Sequence, residues 1–387
     1  MQSSPFIYGT TVSTHSFANR EKERTQLKSN LLNGINTALI SPRRWGKSSL
    51  VERVIEEIRK SSKSHKIVQI DLFSVSNEQE FLEAFAREVI KASSTRYQEW
   101  IKTTKEVFSR LIPQISFGID PMSDFSLSFE WRELQKHRDE VLNLPERIAA
   151  GKKIHFIICL DEFQNLSSFN DYEDFEKKMR AVWQRQKRVT YCFYGSKRHM
   201  MSHIFNNSSK PFYRFGDVMS LGKISSSDWQ QFIQNGFSKT GKSIESSISS
   251  AIPELMKNHS WYVQQLSHYV WNNTRKKAGD SELHQALNEL LNANTPFYIK
   301  ETESFSATQL NLLKAVVRGE TQFMSAEVMR RYSLGTVRNA GKNKKLLIDN
   351  DVIQESEGRY EFLDPAYEIW FRKVFFREEP ASGIAKS

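Results

Sequence analysis

The stretch Leu39-Ile-Ser-Pro-Arg-Arg-Trp-Gly-Lys-Ser-Ser-Leu50 decides the fold, because an apolar run leads into a lysine-containing loop and then into a helix. From Ser41 to Ser48 it matches the phosphate-loop pattern GxxxxGK[ST] at every fixed position except the first, where Ser41 replaces glycine. Ser41 can still make the turn, at some backbone cost, since glycine alone adopts positive φ freely. The alternative is a basic helix start after a buried strand.

The chemistry of a phosphate loop explains these residue types. Backbone N–H groups and the helix N-terminus hold phosphates, Gly46 lets the backbone approach, Lys47 neutralises charge on the β- and γ-phosphates, and Ser48 can ligate Mg²⁺. We therefore expect ATP and Mg²⁺ as ligands. The expected ATP-binding residues of the loop are Ser41, Pro42, Arg43, Arg44, Trp45, Gly46, Lys47, Ser48 and Ser49.

A second motif, Ile154-His-Phe-Ile-Ile-Cys-Leu-Asp-Glu162, supports the first. Its near-continuous apolar run is typical of a strand buried on both faces of a parallel sheet, and it ends in two carboxylates where such sheets place their ligand crevice. We expect Asp161 to hold Mg²⁺ and Glu162 to act as the general base that polarises the attacking water. Many strands end in acids, so the motif gains its weight from Lys47 and Ser48 upstream.

Composition predicts a multi-domain intracellular protein. The chain has 387 residues, which favours about two to three domains. No run approaches the ~20 apolar residues of a membrane span. The N-terminus, Met1 to Pro5, lacks the charged-then-apolar pattern of a signal peptide, so we expect a cytoplasmic location and no membrane partner. The two cysteines, Cys159 and Cys192, fall in predicted strands, and we expect small buried side chains rather than a disulfide or a metal pair.

Apolar runs alternate with helical patterns along the first half of the chain, which predicts an α/β fold with a parallel sheet and helices on both faces. A strictly alternating pattern over 115–119 and 125–131 predicts an inserted β-hairpin. Ser196 follows the fourth strand, and it is either a residue beside the acidic strand near the γ-phosphate or a solvated turn serine. The expected strands are 37–41, 67–73, 154–160, 189–194 and 218–224, and the expected helices include 47–60, one capped by Asn77, and 134–150 interrupted at Pro145.

The C-terminal part predicts a winged helix. Ser306, Ser325 and Thr336 each begin a short helix, with a glycine turn before the third, and two strands follow across Gly358. With a formal net charge of +10, the chain suits a phosphate-rich partner, although basic enzymes are common. We expect double-stranded DNA at the third helix, and protein docking is the alternative. The expected DNA-binding residues are Arg338, Asn339, Lys342, Asn343, Lys344 and Lys345.

Together the motifs resemble archaeal-type ATPases, which belong to the AAA+/STAND division of P-loop NTPases and are related to origin-recognition ATPases. The resemblance implies that Arg20 and Glu21 lie near the adenine, that Ser196 senses the γ-phosphate, and that Arg214 reaches a neighbouring subunit's nucleotide as an arginine finger. A structural arginine paired at the sheet edge is the alternative for Arg214. The stretches that carry the resemblance are 17–21, 41–48, 160–165, 195–196 and 211–214.

The resemblance also implies a small helical lid over about 226–294. In this lid, the usual glycine-x-proline is replaced by Asn258-His-Ser-Trp-Tyr262. We therefore expect three domains: a P-loop ATPase domain (1–225), the lid (226–295) and a winged helix with a tail (296–387).

The favoured hypothesis is an ATPase whose nucleotide state is coupled to double-stranded DNA. The alternatives are a STAND-type signalling switch that oligomerises and binds a protein, or a nucleotide-binding scaffold with little turnover.

Overall fold

The computed structural model describes residues 3–10, 20–94, 96, 99–100, 102, 114–116, 126–128, 130–356 and 358–378. The predicted hairpin turn (120–124), residues 17–19 of the N-terminal box and most of the predicted tail lie outside these ranges. The chain forms two compact units. The α/β unit comprises 20–43 and 47–222, and the C-terminal unit comprises 44–46 and 223 onwards with the described N-terminal residues.

The α/β unit is built on a five-stranded sheet in the order β2-β5-β6-β1-β7, in which every neighbouring pair is parallel. This confirms the predicted fold class. The largest differences from the expected bounds are in β2, which begins and ends two residues earlier, and in β7, which ends at Ser220. The described elements of this unit are α1 (Glu21–Leu32), β1 (Thr37–Ile40), α2 (Lys47–Ser61), β2 (His65–Asp71), α3 (Glu78–Ser93), β3 (Gln114–Ser116), β4 (Ser126–Ser128), α4 (Trp131–Leu142), α5 (Leu144–Lys152), β5 (His155–Asp161), α6 (Tyr172–Trp183), β6 (Val189–Gly195), α7 (Arg198–Asn206) and β7 (Asp217–Ser220).

Local signals account for several of these elements. The side chain of Asn77 accepts a hydrogen bond from the N–H of Glu80 at 2.9 Å, which satisfies one of the unpaired donors at the start of α3. Pro145 lies in the first turn of α5, where its missing N–H has no cost, so the helix restarts there as predicted. Strands β3 and β4 pair antiparallel, in agreement with the predicted hairpin.

The C-terminal unit is mainly helical and has its own apolar core, which is separate from the core of the α/β unit. No helix among the described residues is long and apolar enough to cross a membrane. The elements of this unit are α8 (Ser226–Lys239), β8 (Ser243–Ile244), α9 (Ser246–Leu255), α10 (Ser260–Asn273), β9 (Lys277–Ala278), α11 (Asp280–Glu303), α12 (Ala307–Val317), α13 (Ala326–Arg331), α14 (Val337–Asp349), β10 (Ile353–Ser356), β11 (Arg359–Phe362) and α15 (Pro365–Phe376).

Helix α11 continues through Pro296, so the domain boundary expected between 295 and 296 lies inside a helix. Proline removes one backbone donor and usually ends or kinks a helix. Here the side chains of Asn294 and Thr295 donate to the carbonyls of Leu290 and Leu291, each at 2.8 Å. The carbonyl that loses its helical donor at Pro296 is that of Asn292, so these two bonds accompany the proline and do not replace the missing one.

The last six elements have the order of a winged helix. Ser306, Ser325 and Thr336 each accept a hydrogen bond from the backbone N–H three residues further on, and they cap α12, α13 and α14 as predicted. Gly335 has a φ of 80°, which explains the glycine in the turn before α14. Strands β10 and β11 pair antiparallel and form the wing.

Candidate nucleotide-binding site

Lys47 curls back into the loop between β1 and α2. It is 6% exposed, and its Nζ donates to the carbonyl oxygens of Ser41 (2.9 Å) and Pro42 (2.8 Å) and to the Ser41 hydroxyl (3.3 Å). Within residues 41–48, positive φ occurs only at Arg44 (64°) and Gly46 (89°). The expectation of a backbone cost at Ser41 is therefore wrong, because that position does not need the conformation that favours glycine.

Ser48 and Asp161 meet although they come from the two separate motifs. The Ser48 hydroxyl donates to Oδ2 of Asp161 at 3.3 Å, and the N–H of Glu162 donates to Oδ1 at 2.8 Å. Burial raises the pKa of Asp161 to about 6, the carboxylates of Glu162 and Asp71 add to this, and Lys47 opposes it. A hydroxyl and a carboxylate are hard oxygen donors. This pair fits Mg²⁺, which keeps several waters and takes few protein ligands.

The Glu162 carboxylate is held by a small cluster at the ends of β5 and β6. Its Oε2 accepts hydrogen bonds from the Gln164 amide, from the backbone N–H of Ser196 (3.2 Å) and from the Ser196 hydroxyl (2.9 Å). Nε of Arg43 in turn donates to the Ser196 hydroxyl at 3.2 Å. Ser196 thus lies beside the acidic strand end, and its role towards a γ-phosphate stays a prediction.

Arg20 is buried and hydrogen-bonded, whereas Arg214 is exposed. Arg20 is 4% exposed and donates to Glu23 (3.1 Å) and to the Gly222 carbonyl (3.0 Å), while Glu21 lies in the first turn of α1. The proximity of Arg20 and Glu21 to adenine stays a prediction. Arg214 has a φ of 51°, and in the part of the chain that the structure describes it forms no ion pair. The described contacts thus lack the ion pair of the sheet-edge alternative.

Two expected ATP-binding residues contact protein side chains within the C-terminal unit. The Arg44 guanidinium lies 4.8 Å from the centre of the Trp261 ring and donates to the Tyr262 hydroxyl at 3.4 Å. The Trp45 ring lies edge-on to His259, with 6.3 Å between ring centres. The segment that replaces the expected glycine-x-proline therefore packs on these two residues. The placement of Arg44 and Trp45 against a nucleotide stays a prediction.

The residues expected to bind DNA divide into two groups on α14. The side chains of Asn343 and Lys344 are used inside the domain, because Asn343 donates to the Thr308 hydroxyl (2.9 Å) and Lys344 to the Tyr360 hydroxyl (3.2 Å). The other four are exposed: Arg338, Asn339, Lys342 and Lys345.

Sequence reasoning missed three residues with a place in these sites. Gln164 is fully buried and contacts Glu162, and Asp71 is the register partner of Asp161 on the neighbouring strand. Nothing in the sequence shows which way the Gln164 side chain points. Arg359 is exposed at the wing, and its position after Gly358 in the predicted turn was a usable signal.

A parallel sheet with a phosphate loop after its first strand and an acidic pair at the end of β5 defines a P-loop NTPase fold. The chain belongs to the KAP family of P-loop proteins, because the family model described as the KAP family P-loop domain matches residues 45–260. A second model, described as a probable winged helix domain, matches residues 296–373. These two matches do not assign the chain to the AAA+ or STAND division of P-loop proteins.

Solved structures support the same fold. A Walker-type ATPase of Pyrococcus abyssi aligns with a TM-score of 0.65 at 16% identity, over 95% of this chain and 99% of the other. The ORC2 protein of Aeropyrum pernix, solved as ADPNP–ADP complexes, aligns with a TM-score of 0.55 at 14% identity, over 96% and 99% of the two chains. The search of curated protein sequences gives no match.

Proposed function

We propose that this protein binds and hydrolyses ATP at the loop between β1 and α2. The observation that carries this proposal is the 3.3 Å contact between Ser48 and Asp161, which joins the two motifs beside Lys47 and Glu162. In the proposed complex, Lys47 exchanges its loop carbonyl partners for β- and γ-phosphate oxygens. Ser48 and Asp161 would hold Mg²⁺, whose charge would stabilise the negative charge of the phosphate oxygens.

Glu162 is the proposed general base. Its Oε2 already accepts three hydrogen bonds, whereas Oε1 accepts none from the residues that the structure describes. Oε1 is therefore the oxygen that would accept a proton from the attacking water. Ser196, which donates to Glu162, would also face the γ-phosphate, and Arg43 lies next to it. The exposed Arg214 is the proposed finger in a homo-oligomer of AAA+ type.

We further propose that the nucleotide state is coupled to double-stranded DNA through α14. The exposed cations Arg338, Lys342 and Lys345 recur three or four residues apart and thus lie on one face of the helix. Such a face supplies phosphate contacts, and Asn339 supplies an amide able to read a base edge. Arg359 of the wing adds a further cation.

A protein-partnered switch of STAND type is the second candidate, and a specific set of ion pairs favours it. Lys257, between α9 and α10, reaches Glu368 of α15 at 2.5 Å and Glu361 of the wing at 4.0 Å, and Lys223 reaches Glu361 at 3.3 Å. These contacts lie within the C-terminal unit and hold the winged helix on the helices before it. Their release would expose a docking surface.

Steady-state ATP hydrolysis with and without duplex DNA tests the proposal. We expect DNA to stimulate turnover, and the triple variant Arg338→Ala, Lys342→Ala, Lys345→Ala to keep basal turnover but lose the stimulation. Turnover unaffected by DNA, with ATP-dependent oligomers, would favour the switch. Bound nucleotide without turnover under either condition would contradict the enzyme proposal and leave a nucleotide-binding scaffold.

A further inference from the structure

We propose that Gln164 and Gly195 form a positioning pair that orients the carboxylate of Glu162. The inference rests on the proposed hydrolysis and adds to it a residue that fixes the base and a glycine that makes room for that residue. All three residues belong to the α/β unit, in which β5 and β6 are adjacent strands. Gly195 is the last residue of β6, and Gln164 lies three residues after the end of β5.

The Gln164 amide fills the space where a side chain at position 195 would be. Gln164 is fully buried in the short helical turn after β5. A Cβ atom at Gly195 would lie 1.8 Å from Oε1 of Gln164, 3.0 Å from its Cδ and 3.2 Å from Sδ of Met201. Gly195 is not among the glycines with positive φ. Glycine is therefore needed at 195 for the close approach of Gln164 and not for its backbone conformation.

The hydrogen bonds of Gln164 point to a role for its donor atom. Its Nε2 donates to Oε2 of Glu162, while its buried Oε1 has no hydrogen-bond partner among the described residues. A buried acceptor without a partner is costly, and an apolar side chain of similar size would avoid that cost. What the glutamine supplies and an apolar side chain would not is the bond to Glu162.

Glu162 needs such a partner because of its backbone. Its φ is 51°, in the left-handed region that non-glycine residues rarely adopt, and the chain turns sharply there from β5 into the buried turn. The direction of its side chain is set by Gln164 on one side and by Ser196 on the other. With Oε2 fixed in this way, Oε1 is the oxygen left to face water. Gln164 is thus a positioning residue and not a catalytic one.

Two substitutions perturb this pair from opposite sides. Gln164→Leu removes the donor at similar volume, and Gly195→Ala displaces the amide by steric contact. Two variants serve as matched controls. Gln186→Leu, just before β6, removes the hydrogen bonds that Gln186 makes with Leu142 and Tyr191. Gly151→Ala adds a Cβ that would meet nothing within 4 Å. We expect both test variants to lower kcat about tenfold or more, with the dissociation constant for ATP within about twofold of wild type. The controls should change neither value.

A double variant separates positioning from structural damage. Once Glu162→Gln has removed the base, adding Gln164→Leu should lower kcat no further, since the two residues act as a unit. Additive losses, a parallel rise in the dissociation constant, or wild-type kcat in Gln164→Leu would each overturn the inference.

A measurement without hydrolysis distinguishes failure of this inference from failure of the proposed function. With ¹⁵N-labelled glutamine side chains, we expect the Gln164 amide resonance to shift in Glu162→Ala and to stay in place in Gln186→Leu. If the wild type turns over no ATP, the enzyme proposal fails, and this resonance still decides whether Gln164 holds Glu162. An unchanged resonance in Glu162→Ala would overturn the positioning pair.

Discussion

The hydroxyl of Ser48 lies 3.3 Å from Oδ2 of Asp161, although the two residues are 113 positions apart in the chain. Ser48 lies in the first turn of α2, which follows the first strand of the chain, and Asp161 is the last residue of β5. Parallel strands bring their carboxyl ends to one edge of the sheet, and the two motifs meet there. This contact is the structural basis for the proposed Mg²⁺–ATP site.

Asp161→Asn should weaken nucleotide binding in the presence of Mg²⁺ by at least about tenfold, because it removes the anionic ligand of the pair. Without Mg²⁺ the variant and the wild type should bind alike. Asp71→Asn, on the neighbouring strand, removes one nearby charge but no proposed ligand and should keep the Mg²⁺ effect. Titration calorimetry with and without Mg²⁺ makes the comparison, and equal losses in both variants would speak against a site at Asp161.

Restoring the consensus glycine with Ser41→Gly should lower the free energy of unfolding, by about 0.5–1 kcal/mol. Position 41 does not have positive φ, and its hydroxyl accepts a hydrogen bond from Lys47.

Gly46→Ala should lower the free energy of unfolding by about 1–2 kcal/mol, because Gly46 has a φ of 89°. Steric contact would add nothing, since an added Cβ would meet nothing within 4 Å. Denaturant unfolding of the three proteins checks both values. A Ser41→Gly variant more stable than wild type would show that serine strains the loop.

Salt dependence of DNA binding should divide the residues of α14. Each of Arg338→Ala, Lys342→Ala and Lys345→Ala should reduce the slope of log affinity against log salt by about one, because each removes one phosphate partner. Lys344→Ala is the matched control, since its ammonium is bonded to Tyr360. Binding isotherms on duplex DNA between low and moderate salt give the slopes. The DNA surface would be misplaced if Lys344→Ala changed the slope as much as the other three.

His259 should make stability depend on pH. Burial lowers the pKa of His259 to about 3, and the cations Arg44 and Lys223 contribute in the same direction. The unfolded chain, with an ordinary pKa of about 6.5, binds more protons between these values, so the free energy of unfolding falls as pH falls through that window.

From pH 7.5 to 5.5, the loss due to His259 should be about 1.4 kcal/mol. His259→Phe should remove that part of the pH dependence. Denaturant unfolding at the two pH values measures the difference between the proteins, and carboxyl groups common to both cancel. Identical pH dependence in wild type and variant would mean that His259 is not buried as a neutral group.

Local and periodic features were predictable from the sequence. The parallel sheet follows from apolar runs, and the caps at Asn77, Ser306 and Thr336 follow from short polar side chains before helical patterns. The apolar runs and the capping residues are both patterns of residues that are close in the chain. The path of α11 through Pro296 was not predictable, because a proline inside a helical pattern usually marks the end of a helix.

Contacts between residues that are distant in the sequence could not be predicted from the sequence motifs. Gln164 lies over Gly195 only because β5 and β6 are adjacent. Arg44 has the residue type of a phosphate ligand, yet its guanidinium lies over Trp261. Asn343 and Lys344 likewise have the chemistry of DNA contacts and are occupied by Thr308 and Tyr360. Residue type gave the chemistry, and tertiary packing decides which side chains are free to use it.

Single-turnover hydrolysis of ATP by wild type and by Glu162→Gln tests the central claim most directly. Glutamine keeps the shape of the side chain and an acceptor for Ser196 and Gln164, so binding should be retained. We expect the wild type to convert bound ATP to ADP. The variant should bind ATP with similar affinity, and its rate of hydrolysis should be lower by a factor of about 10² or more. Equal hydrolysis rates in the two proteins would contradict the assignment of Glu162 as the base, and no conversion of bound ATP by the wild type would contradict the proposed ATPase activity.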